Sequence, residues 1–338
     1  MRTLDYFTLL DAPTMKEPSP KPWTQPSPAT TRSQIMLETV SEMVRPRQFW
    51  HRLSQIKLRG PGDKDWSFTL AGGDSADLIH QMARREIDIA TLNPSGVLTM
   101  AYLGKGPFQK PVPVRAIAVI PSLDWFGFGV TEASGITALA DIKAKRYPLR
   151  LSLRGQMDHT VHLYVDAVLN AYGFSRDDIL KWGGKISYDP YLPYRDERLA
   201  KVKNREVDAI FDEAVLQFVP KAVPLGMRFL PLDEAVLQEM ERLGFRRSTM
   251  TREFFPELPV DVPTLDYSGW PVYTHADVPE EFVYTFCRCL DARKATIAWQ
   301  EQRPLPLDQM CRDTREGPLD VPLHPGAERY WREAGYLS

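Results

Sequence analysis

Short apolar runs fed by amphipathic segments recur along the chain, and two stretches repeat that plan almost word for word. One reads Arg85-Glu86-Ile87-Asp88-Ile89-Ala90-Thr91-Leu92-Asn93-Pro94-Ser95. The other reads Arg205-Glu206-Val207-Asp208-Ala209-Ile210-Phe211-Asp212-Glu213-Ala214. Each follows a helix-like run, residues 75–84 and residues 196–203, and each has a charged corner, a short strand and a polar cluster where the strand stops. A charged corner followed by β-branched residues is how a helix feeds a buried parallel strand. In open α/β sheets the ligand crevice lies beyond the carboxyl ends of such strands. Two units therefore predict two α/β lobes, with Asn93–Ser95 and Asp212–Glu213 facing one another across a cleft. One larger α/β domain with coincidentally similar turns is the competing arrangement.

The remaining pattern fills in around these units. Residues 12–29 are proline-rich and predict an extended arm, with Trp23 lying on the body. A helix is expected over about 32–44, with Ile35, Leu37, Val40 and Met43 inward. Residues 66–70 alternate as a strand and end in Ala71-Gly72-Gly73-Asp74-Ser75, where glycine allows a tight turn and Asp74 or Ser75 can cap the next helix. A helix after Asn93-Pro94-Ser95, a buried strand over 114–120, a crossing strand over 125–130 and a helical turn over 135–143 follow. Strand 149–153 leads to helix 160–172, closed by Gly173. Residues 174–195 read as a polar, aromatic connection and 246–263 as irregular. The lobes are expected to be joined near 124–131, with the return near 219–229. Helices over 231–243 and 279–299, a strand within 265–274 and a short terminal helix complete the chain.

Composition narrows the function classes. The 338 residues, 43% hydrophobic and 25% charged, suit two soluble domains of middling size. A net charge of −2 gives no general attraction to nucleic acid or to an anionic membrane, so no nucleic-acid partner is expected. No apolar run is long enough to span a bilayer. The opening residues have no long apolar core or small-residue cleavage site, so the chain as written is expected in the cytoplasm, or in the periplasm if a signal precedes it. Cys287, Cys289 and Cys311 have no metal-type spacing and an odd count, and are expected to be inert thiols. P-loop, dinucleotide and nucleophile-elbow motifs are lacking.

Several segments together resemble the TAXI solute receptors, the binding proteins of one branch of the tripartite ATP-independent (TRAP) transporters. They are Gly72-Gly73-Asp74-Ser75, Glu86-Ile87-Asp88-Ile89-Ala90, Gly135-Ile136 through Asp141-Ile142-Lys143-Ala144-Lys145, and Val207-Asp208-Ala209. The most specific is the terminal His324-Pro325-Gly326-Ala327-Glu328-Arg329-Tyr330-Trp331-Arg332-Glu333-Ala334-Gly335. The resemblance covers about residues 66–335 and implies an α/β, two-lobed class II periplasmic-binding-protein-like fold with an interlobe cleft and hinge. On it, residues 1–32 form the proline-rich arm, 33–128 plus 231–338 lobe one, and 129–230 lobe two. It implies a small carboxylate-bearing ligand and, for an exported chain, membrane transporter subunits as partners. The chain departs from the family in lacking a defensible secretion signal. It also has proline-rich sequence where family members open with a strand and a glycine- and serine-rich loop, so ligand identity does not carry over. Cytosolic enzymes share the fold, among them 4,5-dihydroxyphthalate decarboxylase and enzymes of an alternative menaquinone route.

The chemistry available at the strand ends fits an anion. Arg154 can fork onto a carboxylate beside a helix start whose free N–H groups carry positive potential, and Gln156 can add hydrogen bonds; a pair between Arg154 and a nearby acid is the alternative. Gly73, Asp74, Ser75, Asn93, Ser95, His159 and Asp212 complete the expected ligand contacts, with Tyr267 and Trp270 as an aromatic wall beside Tyr273. His159 and His162 fall one helical turn apart, and with Asp212 or Glu213 could make a two-His, one-carboxylate metal site or a general acid–base pair. No cofactor motif is present, and a divalent metal on His159, His162 and Glu213 is the one alternative these residues leave open. The first expectation is thus a small-molecule binding protein of the TAXI type whose lobes close on an organic acid. The second is a cytosolic lyase or decarboxylase on the same fold, with His159 or Glu213 as catalytic candidates. The third is a regulatory sensor acting through the proline-rich arm.

Overall fold

The computed structural model describes residues 28–43, 54–59, 67–73, 75–297, 299 and 303–338. Its strands form two five-stranded mixed sheets and one hairpin. The first sheet holds β1 (Ser54–Arg59), β2 (Ser67–Gly72), β3 (Ile89–Thr91) and β4 (Val114–Ile120), with β12 (Trp270–His275) inserted between β3 and β4. The second holds β5 (Gly127–Thr131), β6 (Arg150–Arg154), β7 (Lys185–Asp189), β8 (Ala209–Asp212) and β9 (Met227–Phe229), in the order β7-β6-β8-β5-β9. The hairpin is β10 (Arg247–Met250) with β11 (Val262–Leu265). The first helix is α1 (Pro28–Met43), and with the first sheet go α2 (Asp77–Ala83) and α3 (Ser95–Leu103). With the second go α4 (Leu139–Ala144), α5 (Val161–Ala171), α6 (Arg176–Lys181), α7 (Asp196–Lys203) and α8 (Val215–Ala222). Then come α9 (Glu234–Arg242), α10 (Glu280–Arg293), α11 (Leu307–Met310) and α12 (Pro325–Glu333). Among the described residues no helix is long and apolar enough to cross a membrane.

The repeated stretches are one structural device used twice. After α2, Arg85 turns left-handed at φ 63°; after α7, Arg205 does so at φ 56°. Arg85 N then donates to Met82 O and Glu86 N to Gln81 O, both at 3.0 Å. Arg205 N donates to Val202 O at 3.0 Å and Glu206 N to Lys201 O at 2.8 Å. This is the paired bonding that closes a helix on a left-handed residue. Three residues on, each repeat uses an aspartate to staple its strand to the parallel neighbour. Asp88 accepts Thr69 N at 2.9 Å and returns its own N–H to Thr69 O at 2.8 Å. Asp208 accepts Arg150 N at 3.0 Å and returns its N–H to Arg150 O at 2.8 Å. β3 thereby starts in register beside β2, and β8 beside β6.

Left-handed backbone costs a side-chain-bearing residue roughly 1–2 kcal/mol, whereas glycine adopts it freely at an entropic cost of about 0.5–1 kcal/mol. Arg85→Gly and Arg205→Gly are therefore each expected to be neutral or to stabilise by up to about 1 kcal/mol. Chemical denaturation checks this; a loss above about 1 kcal/mol at either site would mean that the arginine side chain, not the corner, matters there.

The lobes are joined by antiparallel segments. Trp125 bridges Asp266, Phe126 N donates to Leu265 O at 3.0 Å, and Tyr267 N donates to Asp124 O at 3.0 Å. The return lies here and not at 219–229, because β9 pairs with β5 and keeps the chain in the second sheet through Phe229. Residues 174–195 are not a plain connection: they hold α6 and the edge strand β7. α6 starts on a capping box in which Ser175 Oγ accepts Asp178 N (3.3 Å) and Asp178 accepts Ser175 N (2.9 Å). The stretch 246–263 likewise contains β10. The long helix stops at Arg293, short of Trp299. The predicted inward face of α1 is not packed: Ile35, Leu37 and Val40 are exposed. The Met43 side chain, Trp23 and the proline-rich residues 12–27 lie outside the described residues.

The terminal signature is a packing device. His324 Nδ1 accepts Gly326 N at 3.2 Å, capping α12. A Cβ on Gly326 would stand 2.1 Å from Glu280 O, so only glycine lets α12 seat against the start of α10. Trp331 is fully buried and donates from Nε1 to Ile117 O in β4 at 2.8 Å, while Tyr330 Oη donates to Asp291 at 2.7 Å.

Candidate functional site

Residues from the carboxyl ends of strands in both sheets meet at the seam between the lobes. From the first sheet come Ser75 after β2 and Asn93–Ser95 after β3. Ser75 pairs through its backbone with His159 of the second lobe, and its Oγ accepts Asp77 N at 3.2 Å. Gly73 is tied to β3 instead, its N–H donating to Thr91 Oγ1 at 3.2 Å. The Asn93–Pro94 peptide is cis, and Ser95 N bonds to Ser268 O (3.1 Å) and Gly269 O (2.9 Å). Asn93 Oδ1 and Ser95 Oγ are buried and have no hydrogen-bond partner among the described residues. Asp74 lies outside the described residues.

From the second sheet come the β6–α5 turn and the end of β8. Thr160 Oγ1 donates to Asn93 O at 2.5 Å, crossing the seam at the start of α5. Tyr267 Oη lies 2.6 Å from Thr160 Oγ1 and 3.5 Å from His159 Nδ1. With the threonine proton committed to the Asn93 carbonyl, the phenol is the donor to Thr160. Burial, then the Glu213 charge, push the Tyr267 hydroxyl well above its ordinary pKa, so it stays a neutral donor. The ring of Tyr164 stands 4.8 Å from those of Tyr267 and Phe245 and 5.4 Å from that of Phe126, packing the two lobes together behind these contacts.

Arg154, at the end of β6, is buried and its fork is already filled. Nε donates to Asp212 Oδ2 at 3.2 Å, Nη2 to Asp212 Oδ1 at 2.6 Å, and Nη2 also to Glu213 Oε1. Asp212 is held from its other side by Arg198 of α7, whose Nε donates to Ser152 Oγ at 2.7 Å and whose Nη1 bonds both Asp212 and Tyr191 O. Burial alone would raise the Asp212 pKa; Arg154 and Arg198 outweigh it and hold it down at about 2. Burial would lower Arg154, and Asp212 with Glu213 outweigh it, so its pKa is raised. Both groups are therefore charged at neutral pH.

A third carboxyl completes the cluster. Asp124, on the crossing segment, accepts Ala214 N at 2.7 Å, Val215 N at 3.1 Å and Trp125 N at 2.8 Å, capping α8 from a distant part of the chain. Three N–H donors favour its anion, yet burial and the neighbouring Glu213 win, and its pKa is raised well above the ordinary value. The folded chain thus keeps this proton at pH values where the unfolded chain, with an aspartate pKa of about 3.9, releases it. The resulting stability is fully present below about pH 4 and is lost as pH rises through the raised value. Asp124→Asn, neutral throughout, is expected to flatten that fall in melting temperature between about pH 4 and 8. An unchanged slope would mean that Asp124 titrates normally.

The two histidines part company. His159 Nδ1 accepts Val161 N at 3.2 Å and faces Tyr267. His162 turns the other way, with Nε2 3.1 Å from Gln156 O and Nδ1 3.4 Å from Arg176 Nη1. Burial first, and then Arg176, lower its pKa and keep it neutral. His159, His162 and Glu213 do not gather, and among the described residues no group of three His, Cys, Asp or Glu side chains could hold a metal ion. The one-turn relation expected of a helix starting near Asp158 is not formed: α5 begins at Val161, and His159 lies before it, bridged through its backbone to Ser75. Gln156 is buried at the same turn, and its carbonyl accepts His159 N at 3.2 Å. Trp270 pairs with Ile120 in β12 and takes no part in these hydrogen bonds, and Tyr273 is buried in the same strand. Sequence reasoning missed Asp124, Arg198 and Thr160 as members of the cluster. Arg198 occupies an inward position of α7 beside Leu199 and Val202, which is the one signal that could have found it.

Two solved structures illustrate the likeness to known proteins. The lactococcal OpuAC, closed and complexed with glycine betaine, is 12% identical with a TM-score of 0.35, covering 77% of this chain and 82% of that one. The alkanesulfonate-binding protein SsuA from Xanthomonas axonopodis pv. citri, bound to MOPS, is 12% identical with a TM-score of 0.29, covering 69% of this chain and 83% of that one. The model of the NMT1-like family matches residues 64–335, four-fifths of the sequence and every strand of the two sheets but β1, and the chain belongs to that family.

Proposed function

We propose that this chain is a small-molecule-binding protein of the two-lobed solute-receptor type, in its TAXI form, which takes an organic acid at the seam between its sheets. One observation carries the reading: strand ends of both lobes deliver Asn93, Ser95, Thr160, His159, Tyr267 and Arg154 to one buried place. Such convergence of a few polar groups in an otherwise apolar seam is how small ligands are oriented. Arg154 supplies the charge for a carboxylate, and Asn93 Oδ1, an acceptor, and Ser95 Oγ, a donor and acceptor, have no partner among the described residues. On this reading an exported copy passes its ligand to membrane transporter subunits. A thermal-shift series over mono- and dicarboxylic acids tests it. A saturable rise in melting temperature, with the acid recovered unchanged, is expected. No response from any acid would overturn the reading, and consumption of a stabilising acid would replace it with a lyase.

A further inference from the structure

Arg154 carries two carboxylates, and they are not equivalent. Asp212 is fully buried, bonds Arg154 through two nitrogens, bonds Arg198 from the far side, and accepts Glu213 N at 3.0 Å. Removing it from the guanidinium would break both arginine contacts. Among the described residues Glu213 has a single bonded cation, Arg154, and it shares a hydrogen bond with the Asp124 carboxyl. It precedes Ala214, which holds a left-handed φ of 64° at the turn into α8. We propose that Glu213 is an internal surrogate for the ligand: its carboxylate occupies the place on Arg154 that an incoming organic anion takes, and binding proceeds by displacement. This rests on the binding reading above and adds how access to its charged end is regulated.

The filled fork favours exchange over simple addition. Arg154 already bonds Asp212 through two nitrogens and Glu213 through Nη2, so an anion binding at Nη2 must take the place of one of them. The charged and titratable groups facing Glu213 are Arg154 from β6, Asp212 from β8, Asp124 from the crossing segment, and Tyr267 from the return crossing. Among the described residues only Arg154 holds it by an ion pair, and its hydrogen bond to Asp124 can persist once Glu213 lets go of the arginine. Asp212 keeps Arg154 aimed throughout, because its two bonds to the guanidinium leave the Glu213 contact as the exchangeable one.

Glu213→Gln removes the competing charge while keeping the size of the side chain. Acetate is the probe, titrated by thermal shift and calorimetry into the wild-type chain, Glu213→Gln and Glu213→Ala, with far-UV circular dichroism confirming that each is folded. Both variants are expected to bind acetate about tenfold more tightly than wild type, since a site freed from its own occupant no longer loses affinity to the blocked fraction. If a carboxylic acid stabilises wild type but acetate binds the variants no more tightly, displacement is overturned and the binding reading survives. If no acid, acetate included, affects wild type or either variant, both fall together. Using alanine as well as glutamine guards against one variant failing to fold.

Discussion

Arg154→Ala is expected to destabilise the protein by about 3–5 kcal/mol, the scale for deleting one partner of a buried ion pair and stranding the other. The reason lies in what remains. Asp212, Glu213 and Asp124 would share one low-dielectric pocket with Arg198 alone, and Arg198 reaches only Asp212. The deficit is expected to depend on pH. Asp212 has a depressed pKa of about 2 in the intact protein, so it contributes stability that is present above the unfolded aspartate value and is lost as pH falls through its folded value. Without Arg154 that contribution is mostly gone at neutral pH, and the difference between variant and wild type should shrink as pH drops below about 4. Urea unfolding at pH 7 and at pH 3.5 measures both. A loss below about 1 kcal/mol at pH 7 would mean that water reaches the cluster and screens it, as for surface pairs. Arg154→Lys should recover only part of the loss, because an ammonium cannot bond both Asp212 oxygens and Glu213 in one plane.

Trp331→Ala is the second large effect, about 3–5 kcal/mol, as for other buried aromatic truncations. The indole is fully buried between α12 and β4, and its Nε1 satisfies Ile117 O. Truncation therefore leaves a cavity and also strips the Ile117 carbonyl of its side-chain donor. Trp331→Phe keeps most of the volume but not the hydrogen bond, and should cost less than the alanine change. Thermal or chemical unfolding separates the two, and equal losses would assign the whole effect to the lost donor. The terminal residues thus secure the first lobe and stand apart from the seam.

Much of the architecture was legible because two-fold and 3.6-fold periodicities report burial directly. β4 was read at its observed bounds, and β2, β3, β6, β8, α3 and α5 were placed to within a residue or two. β7 and β10 were lost because they are edge strands, polar enough on their open side to look like loop. α6 was lost although Ser175 and Asp178 wrote its capping box in plain view. The site was legible in its parts and not in its wiring. Arg154 and Asp212 were both named, but a sequence does not show that a guanidinium expected to face a ligand is bonded by acids from the next strand. His159 and His162 illustrate the opposite error, where a helical spacing was read across a turn: α5 starts only at Val161, and His159 pairs with Ser75 instead. Asp124 was invisible because its role is to cap a helix that begins some ninety residues later.

The insertion of β12 between β3 and β4 has a consequence for synthesis on the ribosome. The second sheet is drawn from one unbroken span, Gly127 to Phe229, so it can assemble as soon as that span has emerged. The first sheet cannot close until Trp270–His275 arrives, and α12 must then still be made before Ile117 and Glu280 find their partners. Long-range strand pairing of this kind is slow and exposes unpaired edges while it waits. The lobe that begins first is therefore the one completed last, and a truncated or stalled chain would carry a finished second sheet beside an open, aggregation-prone first.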